Sequence, residues 1–298
     1  MTTTVKQKGA LNRLFSNKAS RLSRSKSGNF LMFLILLLFA VFSIMPVFLI
    51  LIQSVKPLNE LYIYPPKFIV QNPTLENFRS LSTLMSSTWV PFSRYVFNSL
   101  FISVVGTVGH ILVASMCAFP LAKLNLKGGG IIFTLIVTSL MFAPAVSDIV
   151  NYQTMASLNM LDNYLAIILP ALGSSLGLYI MKQFMSQIPD SLIEAAKIDG
   201  ASVFKTLWTV IMPNVKPAWL TLAIFSFQNL WNNQNTTYIY REELKSLPYA
   251  LNQIASGGTI RAGASAAVSV IVLIVPFLLF ILTQSQIIET MASSGMKE

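Results

Sequence analysis

Two stretches of this chain carry residue types at spacings suited to recognition, and neither carries groups that make or break bonds. The first is EAAKIDGASVFKTLWTVIMP at 194–213. Ser191 and Glu194 have the S-x-x-E spacing of a capping box. Gly200 fits the left-handed position that ends a helix. Ser202 can cap a second helix over 203–212, which Pro213 stops. The spacing predicts two short helices joined at Asp199-Gly200. The second presents Val203, Phe204, Leu207, Trp208 and Ile211 over a broad apolar face. Ala195 and Ala196 allow close approach, and Glu194 supplies one acid. Such a hairpin either folds back on the chain's own membrane domain or forms a rigid knob that docks with a cytoplasmic partner.

The second stretch is a polar run inside an apolar one. Phe225, Gln228, Asn229 and Asn232 share a face at i, i+3, i+4 and i+7. Trp231 stands beside them, and Asn233, Gln234 and Asn235 follow. Side-chain amides offer donors and acceptors together, as sugar hydroxyls require, and aromatic rings can stack on sugar C–H surfaces. No charge stands on this face, which disfavours an ionic solute. The amides could instead bond between helices, at about 0.6 kcal/mol per contact. As polar residues within a span they suggest a wall of a translocation path.

Other chemistry is excluded by what the chain lacks. With one histidine, His110, and one cysteine, Cys117, there is no Cys–His pair with supporting groups, no disulfide framework and no metal-ligand cluster. The phosphate-cradling pattern G-x-x-x-x-G-K-[ST] is absent, so no ATP site and no cofactor are expected in this chain. His110 reads as a packing or hydrogen-bonding residue, because a proton relay needs a carboxylate partner and the spans hold almost none. Asp148 reads as a solvated cap. Gly173 with Gly177, and Gly263 with Ala267, have the small-x-x-x-small spacing of close helix packing.

The elements that must position these residues are membrane helices. Of 298 residues, 54% are hydrophobic and 11% charged, and mean hydropathy is +0.63. Soluble domains carry about 25% charged residues. Lipid must be the solvent, and long apolar runs must be helical, because hydrocarbon offers no partner to free backbone groups. Six spans are predicted, at 29–52, 96–119, 130–148, 164–184, 217–236 and 264–286. The first holds about eighteen Leu, Ile, Val and Phe residues and is too long for the core of a signal peptide. Seven of the 21 basic residues crowd the segment before it. Alone, that arm would suit nucleic acid or anionic lipid; before a long apolar run it fixes topology. With the N-terminus inside, cytoplasmic segments carry fourteen Lys and Arg and outer segments seven, which puts both termini in the cytoplasm. The chain divides into a basic arm (1–28), a transmembrane domain (29–286) containing the loop 187–215, and a short tail (287–298). In the outer segment 53–95, Thr74 can cap a helix, and Lys56 and Arg94 are placed to anchor at the membrane interface.

Glu194-Ala195-Ala196, three residues, Gly200, nine residues, then Val210-Ile211-Met212-Pro213 resembles the signature loop of ATP-binding-cassette importer permeases. Asp199-Gly200-Ala201 is similar to the sugar-importer form of that loop. Segments 98–110, 118–130, 161–172 and 246–254 resemble, in order, the matching parts of maltose-transporter-type permeases. Where that branch carries Trp-Asn-Asp, this chain has Trp231-Asn232-Asn233. The resemblance implies an all-α membrane protein of about six transmembrane helices with the type I importer permease fold, in a bacterial cytoplasmic membrane. It implies that Glu194, Ala195, Ala196, Asp199, Gly200, Ala201 and Pro213 form a coupling loop for a cytoplasmic ATPase. The implied partners are a second homologous permease, two ATPase subunits that bind ATP and Mg, an extracellular solute-binding protein and a sugar or oligosaccharide. Nucleic acid is not among them. Another polar solute (peptide, polyamine or phosphate ester) is the alternative within the family. Outside it stands an ion-coupled transporter, which would need intramembrane carboxylates or inverted repeats.

Overall fold

The computed structural model describes residues 26–294 apart from 66, 87, 88, 125, 143, 235, 259 and 260. Most of the basic arm, Asn235 and the last four residues therefore lie outside the described residues. Every regular element among the described residues is helical. The chain forms two compact units, Met1–Leu49 and Ile50–Glu298. The first holds most of α1 (Lys26–Val55), which has Pro46 inside it and matches the predicted first span. The last turn of α1 belongs to the second unit.

In the second unit, α2 (Leu58–Leu61) and α3 (Glu76–Ser86) precede the long α4 (Phe92–Lys123). Then come α5 (Gly129–Ser139), α6 (Pro144–Ser157), α7 (Leu165–Leu172), α8 (Ser175–Ser186) and α9 (Asp190–Ile198). Next are α10 (Val203–Thr206), a π-helical turn (Leu207–Ile211), α11 (Met212–Asn214) and α12 (Lys216–Asn232). A 3₁₀ turn (Glu242–Leu244), α13 (Leu247–Ala255) and α14 (Ala262–Ser294) complete it. By length and composition, Gly28–Val55, Phe92–Lys123, Leu165–Ser186 and Ala262–Leu282 can cross a membrane. A fifth span arises if α12 is counted with the segment before it, from which it is bent by 84°.

The predicted third span is not one helix. α5 has 11 residues, about 16 Å at 1.5 Å per residue, roughly half of the ~30 Å hydrocarbon core. Pro144 then opens α6 at the first helical position, where its missing N–H costs nothing. Chain direction still requires a return here. Near the start of α4, Asn98 Nδ2 donates to the Glu243 and Lys245 carbonyls (2.9 and 2.8 Å), and its Oδ1 accepts from the Tyr164 hydroxyl (2.7 Å). At the far end of α4, Lys123 donates to the Ile188 carbonyl and the Asp190 carboxylate. α4 and the α7–α8 pair thus run the same way, and the chain between them must return. α5 and α6 make that return in two pieces.

Three apolar clusters hold the bundle. One, at the Lys123 end, packs Ala118 and Phe119 of α4 with Met181 and Met185 of α8, Leu207, Ile211 and Val215, and Ala218 and Leu222 of α12. A middle cluster gathers Ile102, Ile167, Ile168 and Leu230. At the Asn98 end, Leu81, Tyr95, Trp231, Leu251 and Ala267 meet. Gly177 and Gly263 are close-packing sites, as predicted: a methyl on the first would overlap His110 Nε2, and on the second the Asn77 side chain. Ala267 is fully buried. Gly173, by contrast, sits just past the last residue of α7, at a break in the predicted fourth span. His110 is buried with Nδ1 3.1 Å from Ser226 Oγ, a packing and hydrogen-bonding residue as predicted.

Side chains knit the Asn98 end together. Asn77 Nδ2 donates to the Ser54 and Lys56 carbonyls, and the buried Glu60 carboxylate accepts the Gln71 and Asn72 N–H groups. Thr74 Oγ1 accepts from Glu76 N–H at the start of α3, as predicted. Lys56 departs from expectation: it is 5% exposed and donates to the Lys67 carbonyl, so it ties a loop instead of reaching an interface. Arg94 lies over the Phe97 ring and donates to the Glu243 carbonyl. Asp148 is exposed on α6. Asp162 accepts from Tyr240 N–H, Arg241 N–H and the Arg241 guanidinium (2.6 Å to Nε).

Candidate functional site

α9 begins earlier than the capping-box spacing suggests. Pro189, at φ −60° and ψ 137°, precedes Asp190 as the first helical residue, so Ser191 lies inside the first turn and caps nothing. The proline ring presets the backbone angle of entry, and that local stiffness outweighs the hydroxyl of Ser191. The far end closes as predicted. Gly200 sits at φ +75°. Ala201 N–H bonds the Ala196 carbonyl (2.9 Å) and Gly200 N–H the Lys197 carbonyl (3.1 Å), the paired bonds of a Schellman closure. A side chain at Gly200 would meet open space, so the glycine serves backbone angle alone. Ser202 Oγ then accepts from Lys205 N–H and caps α10.

Pro213 does not stop the second helix. Met212 N–H reaches back to the Leu207 carbonyl, a five-residue step, so the helix widens into a π turn just ahead of the proline. In α geometry the Pro213 ring would press on the carbonyl four residues before it, and the wider turn relieves that contact. The break comes at Val215, 1% exposed, where the chain bends by 84° into α12. Trp219 Nε1 donates to the Met212 carbonyl across the elbow (3.2 Å).

The predicted apolar face is divided. Leu207 and Ile211 are buried against the hairpin's own spans, while Val203 and Phe204 stay exposed. Trp208 lies between, edge-on to the Phe204 ring. Glu194, Ala195, Asp199, Gly200 and Pro213 are exposed, Ala201 is half-buried and Ala196 is buried. The sequence pattern missed Ile198, which is 86% exposed at the tip of α9. The available signal was an isoleucine on an otherwise polar helix end, directly before Asp199-Gly200. One half of the hairpin is thus rooted in its own domain, and the other half leaves an acid and apolar groups exposed.

The amide stripe is likewise split. Phe225, Asn229 and Asn232 are exposed and Gln228 is half-buried. Trp231 is not with them. Two positions on from Asn229 it points the other way, is 2% exposed, stacks on Phe227 and donates to the Val272 carbonyl. The side chains of Gln228, Asn229 and Asn232 make no hydrogen bond among the described residues. Gln228 and Asn232 line a groove of about 670 Å³ with Asn252 of α13 and Phe277 of α14. Phe225 and Asn229 face a recess of about 220 Å³ with His110, Ser174 and Ser226, beside the α7–α8 break. The recess partners come from distant positions, which no local spacing could have signalled.

Comparison with known proteins gives a consistent picture. A protein-family profile described as "Binding-protein-dependent transport system inner membrane component" matches residues 110–290. Protein LplC of Bacillus subtilis is 35% identical over 157 residues, which cover 53% of this chain and 52% of that protein. The chain thus matches about half the length of that relative. Arabinooligosaccharides transport system permease protein AraQ of Bacillus subtilis is 26% identical over 254 residues, 85% of this chain and 90% of that protein. Among solved structures, a bacterial ABC transporter involved in the import of the acidic polysaccharide alginate has a chain that superposes with a TM-score of 0.73 at 20% identity. That match covers 88% of this chain and 98% of the other. At this identity it concerns the fold.

Proposed function

The chain belongs to the family of binding-protein-dependent transport system inner membrane components, and on that premise we propose that it is one permease subunit of an ATP-driven importer of a neutral sugar or oligosaccharide. One observation carries the reading. The hairpin is held rigid by a closed turn at Gly200 and a capped second helix, yet it leaves Ile198, Val203 and Phe204 uncovered beside Glu194. Bare apolar groups on a stiff polar loop are suited to filling a cleft in another protein. That protein is a cytoplasmic ATPase, which binds ATP and Mg and hydrolyses ATP in a separate chain. Glu194, Ala195, Ala196, Asp199, Gly200, Ala201 and Pro213 shape the contact.

In this reading the protein lies in the bacterial plasma membrane with six crossings and both termini cytoplasmic, the third crossing made by α5 and α6 together. A second, similar permease supplies the other half of the pathway, two ATPases dock below, and a solute-binding protein delivers the solute from outside. Nucleotide binding biases a two-state equilibrium between inward and outward access. The uncommitted amides of α12 support a hydroxyl-rich solute, because an amide within a span needs water, solute or protein as a partner. From 217 to 232 α12 carries no charged residue, which favours a neutral solute. AraQ is named for arabinooligosaccharides, whereas the alginate importer's solute is acidic.

The test is a mild-detergent pull-down of the tagged chain from its native host, with co-purifying proteins identified by mass spectrometry, beside a Glu194→Lys, Ala201→Trp variant. A cassette ATPase and a second permease are expected with the parent chain, and loss of the ATPase with the variant. A parent chain that purifies alone, stable and monodisperse, would sink the reading.

A further inference from the structure

The side chain of Lys123, the last residue of α4, is 6% exposed and its ammonium is fully engaged. It donates to the Ser186 carbonyl (3.4 Å), the Ile188 carbonyl and the Asp190 carboxylate (2.7 Å). Three N–H donors meet three acceptors, the whole capacity of the group. Ser186 ends α8, Ile188 lies in the turn, and Asp190 opens α9. The last carbonyls of a helix lack intrahelical partners and carry the negative end of its dipole. A cation seated there joins three elements at one point: a spanning helix, the end of a second span, and the root of the hairpin.

From this geometry we infer that Lys123 is a positioning residue of the hairpin, a clamp that carries displacement of α9 into α4. The inference rests on the reading of the hairpin as the ATPase contact. An exposed ion pair contributes little, and the Asp190 side chain is 76% exposed; the carbonyl contacts, the one to Ile188 part-buried, give the clamp its hold. The rest of α9 is lightly attached, through Ile193 against the cluster at the Lys123 end and the buried Ala196. The hairpin's other root is the elbow at Val215, braced by Trp219 and continuous with α12. α4 and α12 share that same cluster. A push on the hairpin therefore reaches one wall helix through the backbone and the other through Lys123. Without the clamp, displacement of α9 reaches α4 only through apolar packing.

The test uses the complex that co-purifies with the tagged chain, reconstituted in vesicles. Cys117→Ser removes the native thiol, and Ser93→Cys provides an exposed reporter at the Asn98 end of α4. A membrane-impermeant maleimide is added outside, with and without ATP and vanadate. With Lys123 intact, nucleotide should change the labelling rate by about fivefold or more. Lys123→Met keeps the aliphatic stem and removes the donors; its complex should assemble and hydrolyse ATP yet show almost no change in labelling, and Lys123→Arg should restore it. An undiminished change in an assembled Lys123→Met complex overturns the clamp while leaving the importer reading intact. If Lys123→Met does not assemble, Lys123→Gln decides, since its shorter, uncharged amide keeps donors but cannot meet all three acceptors. A response reduced by about two- to fivefold supports the clamp and an unchanged one overturns it. Absence of any nucleotide response in the Lys123 complex counts against the importer reading and takes the clamp with it.

Discussion

The two ends of α4 are finished in opposite ways. At the Asn98 end, loops that are long and irregular are pinned by side chains whose polar atoms are already used: Asn77, Asn98, Glu60, Lys56 and Asp162 each hold backbone groups of another segment. At the Lys123 end the hairpin is regular and closed by its own backbone, while Glu194, Ile198, Val203 and Phe204 stay exposed. Buried polar groups must be paired inside the molecule, and at the first end the chain's own side chains do that pairing, although Tyr64, Ile69 and Trp89 stay exposed there. The second end is stiff without being covered, the state expected of a surface completed by another chain.

The comparison makes predictions of decreasing size. Asn98→Ala removes three hydrogen bonds at a fully buried site. It should cost about 3 kcal/mol, read as a lower thermal midpoint in detergent, while the folded fraction still captures the ATPase. A midpoint that does not move would break the claim that this end is pinned by its own side chains. Ile198→Lys should do the reverse. The site is exposed, so stability should stay within about 0.5 kcal/mol, whereas ATPase recovered in the pull-down should fall by tenfold or more, about 1.4 kcal/mol or above. Equal recovery would mean that the bare patch is incidental.

Gly200→Ala comes third. There is room for the methyl, so the cost is the left-handed backbone alone, about 1–2 kcal/mol. Hydrogen exchange at Gly200 and Ala201, whose N–H groups close the turn, should quicken accordingly, and Gly200→Asn should recover part of the loss. The smallest effect is at Asp162. Burial raises its carboxyl, but hydrogen bonds from Arg241 and from Tyr240 N–H, together with the Arg241 charge, outweigh this and hold it below the usual carboxylate range. A depressed carboxyl stabilises the fold above its unfolded value of about 3.9 and loses that contribution as pH falls through the lower folded value. Protection of the Tyr240 and Arg241 amides, relative to their intrinsic exchange rates, should stay flat from pH 8 to 5 and fall in stronger acid. With Arg241 62% exposed, the contribution is below about 1 kcal/mol, and Asp162→Asn should lose it already at neutral pH.

Local signals in the sequence were legible where one or two residues decide the outcome. Gly200 and Ser202 were readable because a left-handed angle and an N-cap are properties of a few consecutive residues. The amide stripe was readable from helical period, yet Trp231 fell on the wrong side of it, because adjacency in sequence is not adjacency on a helix. Pro213 misled for a related reason: a proline forbids one hydrogen bond, and a π turn is one way to forgo that bond without ending the helix. The third span misled because hydropathy sees apolar content through 130–148 but not the change of helix at Pro144.

Composition and pattern alone determined that this chain lives in lipid, that its backbone must be helical there, and that one polar hairpin interrupts the apolar runs. These follow from solvent and from local hydrogen bonding, which act on every residue regardless of its distant neighbours. Only the tertiary structure decided that α4 and α7–α8 run the same way, that Lys123 and Asn98 are the fastenings at opposite ends, and which half of the hairpin's apolar face is spent on its own spans. Those outcomes depend on partners dozens of residues away, chosen by packing, and no spacing along the chain encodes which carbonyl a buried ammonium will find.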